Sequence, residues 1–336
     1  MSAPITKSVH RWESSSNSKH PGLGQATRTR VIIPYDGSET AEAALDSLNT
    51  AGLPPDLEVL VAVTHVWLPL SPYDITRAVS ARRMKVLTAG ASSYVPALRD
   101  YEEQRVLSLE AEKRISAMFP FGNIKAESLH DVPSVANEIV GKAKTWGAEL
   151  IIIGSNPSPS PHINDYAGPA LKVAQNAHCS VRIARASDRE DGLSVRIVIG
   201  VQEIHAAAEV VQAVATRAWP AGSEAALVMV KSGPRDATKD PEVARVLEEL
   251  AERLRAVDLK VSTAIRNGQA QEVLLQEART FSADCIFIDS QGHGLDDGSD
   301  SFGLSKVGQA LILGAHCSVE VVRATDLNDE NFKSAA

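Results

Sequence analysis

Ala177-His178-Cys179-Ser180-Val181 returns near the end of the chain as Ala315-His316-Cys317-Ser318-Val319, and each copy runs on through apolar residues to an Arg-Ala pair, Arg185-Ala186 and Arg323-Ala324. The chain is a duplication, so two similar units, each with its own core, are expected. Each pentapeptide follows an acidic residue and an apolar run, Ala148-Glu149-Leu150-Ile151-Ile152-Ile153-Gly154-Ser155 in the first copy and Ala283-Asp284-Cys285-Ile286-Phe287-Ile288-Asp289-Ser290 in the second. Further upstream, Val31-Ile32-Ile33-Pro34-Tyr35-Asp36 is echoed by Ile197-Val198-Ile199-Gly200-Val201-Gln202. Both read as a buried strand followed by an Ala-rich helix.

A chain of 336 residues exceeds what one core usually serves, and the repeat divides it into two units of ordinary domain size. Residues 1–28 read as a flexible leader. A first domain spans 29–186, a polar linker 187–193, a second domain 194–325, and a polar tail 326–336. Within the first domain the predicted order is a strand at Val31–Tyr35, a helix over Glu39–Ala51 and a strand at Glu58–Val66. A helix over Leu98–Met118, a strand near Ile124–Leu129, a helix over Pro133–Trp146, a strand at Leu150–Ile153 and a last helix and strand complete it. Strands are predicted in the second domain near Val195–Val201, Ala225–Lys231, Leu259–Ile265, Cys285–Ile288 and Ser318–Arg323. Alternation of this kind implies α/β architecture with parallel sheets and right-handed crossovers, five strands to each copy. The first copy is longer by about 29 residues, placed at about 67–99. Arg77, Arg82, Arg83 and Lys85 there form either an anion-binding patch or, the simpler reading, a solvated helix face.

Composition narrows the function. The net charge of −8 and 4% aromatic content argue against a nucleic-acid partner, which needs cationic surface and stacking rings. No apolar run approaches the length of a membrane span, and the first residues carry no apolar signal segment, so a cytoplasmic setting without membrane contact is expected. The three cysteines, Cys179, Cys285 and Cys317, lack zinc spacing and read as buried thiols. The chain has no Gly-x-Ser-x-Gly elbow, His-Glu-x-x-His or Walker lysine motif, so no catalytic residue and no metal site are assigned. His178 and His316 precede the last strands, where they are expected to satisfy helix-terminal carbonyls.

Asp36 stands at the carboxyl end of the first strand, where open α/β sheets bind ligands. Its carboxylate could accept hydrogen bonds from an adenine amino group or a ribose hydroxyl, or it could serve an Asx turn or N-cap with Ser38. Taken in order, Pro34-Tyr35-Asp36-Gly37-Ser38-Glu39, Thr64-His65-Val66, Asp131-Val132-Pro133, Gly154-Ser155 and Ala177-His178-Cys179-Ser180-Val181 resemble the universal stress protein family over 30–185. The second unit resembles a more divergent member over 195–323, through Gly268, Ala283-Asp284 and Ser290-Gln291-Gly292. The whole is similar to a tandem universal stress protein. The resemblance implies two doubly wound, HUP-like five-stranded sheets of order 3-2-1-4-5. It also implies an intramolecular pseudo-dimer joined along the last strands, Val181–Arg185 and Val319–Arg323, and a capacity for homodimers.

The resemblance further implies a stress-response binding or signalling role with ATP or AMP as ligand, held by Pro34, Asp36, Val66, Gly154, Ser155 and Gly168. Nucleotide-binding relatives carry Gly-x2-Gly-x9-Gly-Ser/Thr after the fourth strand, whose bare backbone admits phosphate. The first unit reads Gly154-x2-Pro157-x9-Ala167-Gly168, with a proline that has no amide proton and an alanine where backbone must approach closely. The second has Gln202 in place of Asp36, Asp289-x2-Gly292 and Ser305-Lys306, with Asp296, Asp297 and Asp300 in the intervening loop. Carboxylates there oppose a triphosphate. At most one degenerate adenine-nucleotide site is therefore expected, in the N-terminal unit, and no enzyme activity. The alternative is a slow ATP hydrolase or nucleotide transferase using the same site.

Overall fold

The structure, a computed structural model, describes residues 28–63, 94–129, 134–157, 168–187, 194–202, 204–231, 240–290 and 303–323. The leader, Val66 with Thr64 and His65, most of the insertion and Asp131-Val132-Pro133 lie outside the described residues. So do Ala167 with the loop after Pro157, most of the linker, Gly292 with the acidic turn, and the tail.

Buried apolar runs become strands and alternating faces become helices. In chain order the first half holds β1 (Arg30–Tyr35), α1 (Glu39–Asp46), β2 (Glu58–Val63), α2 (Tyr94–Met118), β3 (Asn123–Ser128), α3 (Val135–Trp146), β4 (Leu150–Gly154), α4 (Pro169–Asn176) and β5 (Ser180–Ala184). The second half holds β6 (Arg196–Val201), α5 (Ile204–Ala215), β7 (Glu224–Lys231), α6 (Asp240–Arg255) and β8 (Lys260–Asn267). It ends with α7 (Ala270–Thr280), β9 (Cys285–Asp289), α8 (Lys306–Gly314) and β10 (Ser318–Val322). The helix expected to run to Ala51 stops at Asp46 and tightens into a 3-10 turn over Ser47–Thr50. There the Ser47 hydroxyl donates to the Ala44 carbonyl and competes with the helical ladder.

Each half has the strand order 3-2-1-4-5 with every internal pairing parallel. The halves do not stand as two separate sheets. β5 and β10 pair antiparallel, Val319 opposite Ile183, Glu320 opposite Arg182 and Val321 opposite Val181. The result is one ten-stranded sheet, β3-β2-β1-β4-β5-β10-β9-β6-β7-β8. The last strands therefore meet as the resemblance implied, and neither of their edges is left open for aggregation.

The two faces of the sheet are built differently. On one face α3, α4, α7 and α8 cover a single apolar core that crosses the junction, with Val181, Ile183, Val319 and Val321 at its centre. On the other face the cores are separate: Leu45 of α1 and Ile115 of α2 pack in the first half, and Val211 of α5 and Leu250 of α6 in the second. Side chains alternate across a strand, so Arg182 and Glu320 point into the gap between those two cores. Both are fully buried, with Arg182 Nη1 3.2 Å from Glu320 Oε2.

Candidate functional site

The β1–β4 boundary is where the strand order reverses, and it is opened by one residue. Adjacent residues of a parallel strand bond to opposite neighbours. Glu58 N–H donates to the Thr29 carbonyl and Glu149 N–H to the Arg30 carbonyl, each at 2.9 Å. Ile32 and Pro34 therefore face β4. Proline has no N–H to give, and the β1–β4 ladder ends at Ile32 opposite Ile151. In the second half Gly200 takes the proline's place, and the β6–β9 ladder runs one residue further, to Ile199 opposite Phe287. Pro34 thus frees the carboxyl ends of β1 and β4 from each other at the point where an open α/β sheet admits a ligand.

Asp36 stands exposed at the mouth of that gap. Its Oδ1 accepts from the Ser38 N–H at 3.0 Å, and the Ser38 hydroxyl in turn accepts from the Ala41 N–H at 3.2 Å as the N-cap of α1. Gly37 between them has φ +76°, a left-handed conformation that glycine adopts without strain. The Asx turn and the ligand role are compatible, since a carboxylate that accepts one bond retains acceptor capacity. Beneath the turn the buried Tyr35 hydroxyl donates to Glu42, which also pairs with Arg114 of α2. Burial, then Glu42, raise the Tyr35 phenol far above its ordinary range.

Gly154 closes the inner wall. A Cβ built on it would fall inside the Thr40 carbonyl of α1, so helix and strand touch through backbone alone. Ser155 follows, its N–H donating to the Ala184 carbonyl at 3.1 Å and its own carbonyl accepting from Arg185. Pro157 is exposed and offers no amide. Gly168 is the N-cap of α4, with φ −55° and ψ 169°, no side-chain cap and nothing within 4 Å of an added Cβ. Pro169 is the first helical residue, so the amides of Ala170 and Leu171 are the donors this helix end presents. The structure thus brings Pro34, Asp36, Gly154 and Ser155 to one end of two neighbouring strands and sets Gly168 at the start of the helix that leads into β5. Val66 lies outside the described residues.

The second half differs at each point. Gln202 replaces Asp36, Asp289 replaces Gly154, and α8 begins one repeat position earlier than α4. Its N-cap Ser305 accepts from the Gly308 N–H at 2.9 Å. Its helix end is closed by its own side chain.

Sequence reasoning gave the helix-terminal carbonyls to His178 and His316, and the structure gives that task to arginines. Arg323 donates to the Ala174 and Cys179 carbonyls at 2.7 and 3.3 Å, while Arg185 donates to those of Ile312 and Ala315. Burial pushes both histidines below their ordinary pKa, which suits neutral rings better than cationic caps. The thiols are inert, burial pushing Cys179 and Cys317 up to about 12 and Cys285 higher still. Among the described residues there is no cluster of metal-ligating side chains and no helix long and apolar enough to cross a membrane.

Comparison with known proteins agrees with this architecture. The sequence model of the universal stress protein family matches residues 196–323, the half that reads as the more divergent. A universal stress protein of Methanocaldococcus jannaschii is 27% identical over 170 residues, 50% of this chain and 88% of that protein. Two solved structures share the fold over 88% of the chain. A universal stress protein from Archaeoglobus fulgidus has a TM-score of 0.58 at 19% identity and is covered over 97% of its length. A putative one from Pseudomonas aeruginosa has a TM-score of 0.53 at 12% identity and is covered over 93%. With the 3-2-1-4-5 order in both halves, the chain shares the fold of these proteins, and its residues 196–323 match the universal stress protein family.

Proposed function

We propose that this chain is a tandem universal stress protein, a non-catalytic stress-response module of two domains, 29–186 and 194–325, with one adenine-nucleotide site in the first. The observation that carries this reading is the asymmetry between the halves at corresponding points. The first has an interrupted β1–β4 ladder, an exposed carboxylate at Asp36 and an α4 N-terminus without a side-chain cap. The second has a longer ladder, Gln202 and a serine-capped α8. Asp36 would accept from the adenosine. The Ala170 and Leu171 amides would meet phosphate, as helix N-termini do.

Affinity is weak in this reading, because Pro157 has no amide to give to the triphosphate. Catalysis would need preorganised donors where charge develops, and the described loop ends supply few. ATP or AMP is the ligand class. Buried reduced cysteines fit a cytoplasmic setting.

The test is nucleotide extraction from freshly purified protein, followed by titration calorimetry of the emptied chain with ATP and AMP. Asp36→Ala should weaken binding by about 1–3 kcal/mol, whereas Gln202→Ala should leave it unchanged. Equal affinity in wild type and Asp36→Ala overturns the site, and nucleotide turnover well above a buffer blank overturns the non-catalytic role.

A further inference from the structure

Arg182 and Glu320 occupy the same position of the repeat, carry opposite charges and face each other across the β5–β10 junction. The register shows why that position is special. Val319 lies opposite Ile183 and Val321 opposite Val181, with Glu320 opposite Arg182 between them. Exchanging the two halves turns the first pair into the last and returns the middle pair to itself. The pseudo-two-fold axis therefore passes between Arg182 and Glu320, and whatever stands here meets its own counterpart.

Two copies of the first half joined along this edge would bury one Arg182 against another. Among the described residues Arg182 finds no carboxylate in its own half. Its other partners are the Thr50 hydroxyl and carbonyl at 3.0 and 3.3 Å, and Cys285 Sγ of the second half at 3.2 Å. Its Nε is unpaired among the described residues. The counter-charge arrives only with β10. There Glu320 is already held by Arg217, which also donates to the Ala51 carbonyl at 2.8 Å and lies 5.1 Å from the Phe287 ring. The first half contributes neutral carbonyls at the place where the second contributes a cation.

We propose that Arg182 and Glu320 make this junction heterotypic. The β5 edge fits a strand edge that brings a buried carboxylate, here that of the chain's own second half, and refuses a second β5 edge. A duplicated fold that would otherwise pair with copies of itself is closed as an intramolecular pair. A buried like-charge contact is far more costly than the same area filled by apolar groups, so the charges act by exclusion more than by added stability.

The test uses the full chain. Amide exchange in β5 and β10 is measured for wild type, Arg182→Glu, Glu320→Arg, and the inverted triple variant Arg182→Glu/Arg217→Glu/Glu320→Arg. Each single variant should lose junction protection by roughly a hundredfold or more. The inverted chain should recover at least about tenfold over both singles, a rescue that a packing role alone would not produce. Single variants that keep wild-type protection, or an inverted chain no better than they are, overturn the proposal. Arg182→Met/Arg217→Met/Glu320→Met supplies the second measurement, Arg217 being included because it too is paired with Glu320. It should fold, because apolar replacement of a complete buried charge cluster is tolerated, and light scattering should show it self-associating at concentrations where the wild type has a single mass. A folded variant with a mass distribution identical to wild type would mean that the charges do not select partners.

Discussion

Arg185 and Arg323 stand at the same position of the repeat, and each closes the last helix of the opposite half. Arg185 donates to the Ile312 and Ala315 carbonyls at the end of α8, and Arg323 to the Ala174 and Cys179 carbonyls at and beyond the end of α4. Their backbone amides are exchanged in the same way, Arg185 N–H to Ser318 Oγ and Arg323 N–H to Ser180 Oγ. Helix C-termini leave carbonyls unpaired and carry partial negative charge. Burial lowers Arg185 to about 10, still far above neutrality, so the charge is kept. Arg185→Met and Arg323→Met should each cost about 2–4 kcal/mol in urea unfolding, from carbonyls left without a donor. A loss below about 0.5 kcal/mol would show that water replaces the guanidinium.

Gly154→Ala should destabilise the chain by about 1–3 kcal/mol or more, because the new methyl would overlap the Thr40 carbonyl. The obstacle is backbone, so trimming the neighbour cannot relieve it. Thr40→Ala combined with Gly154→Ala should melt no higher than Gly154→Ala alone. Recovery in the double variant would place the clash with the Thr40 side chain instead.

Gly168 and Ser305 give a matched test of helix capping. Gly168 has room for a side chain and backbone angles that an L-residue tolerates, while Ser305 already caps α8. Gly168→Ser should raise stability by a few tenths of a kcal/mol, and Ser305→Ala should lower it by about 1 kcal/mol. The new hydroxyl would also occupy an α4 amide proposed to meet phosphate. If it caps the helix, nucleotide affinity should fall while the melting temperature rises; a rise in both would show the hydroxyl serving the phosphate.

Strands were legible in the sequence wherever an apolar run was closed by a polar turn, as at Val31–Tyr35 and Cys285–Ile288, because a strand covered on both faces needs no polar side. Pro34 was legible as part of a motif, but its effect was not. Which neighbour a strand residue bonds to depends on register, and register is a property of the sheet. Arg182 and Glu320 were missed altogether. A charged residue inside a short strand ordinarily marks a solvent-facing position, and only the partner strand from the far end of the chain makes this one an interior. The signal was present in the opposite charges of Ser180-Val181-Arg182-Ile183 and Ser318-Val319-Glu320-Val321 at one repeat position.

Acid should destabilise the fold through His178 and His316. Burial, then Lys144 and Arg323, lower the His178 pKa; burial, then Arg279, lower that of His316. His178 hydrogen-bonds to the Ala148 backbone, while its Nδ1 has no partner among the described residues. Protonation would place a second N–H there without an acceptor. The unfolded rings titrate near 6.5, so as pH falls through that value the unfolded state takes up protons that the folded state refuses, and stability declines with it. The half-buried Glu149 carboxyl, raised chiefly by burial, works in the opposite sense at lower pH, which leaves pH 5.5–7 as the window for the histidines. In that range the urea midpoint of the wild type should drop with acidification, and His178→Gln/His316→Gln should flatten the slope. An unchanged slope in the double variant would assign the acid sensitivity to other groups.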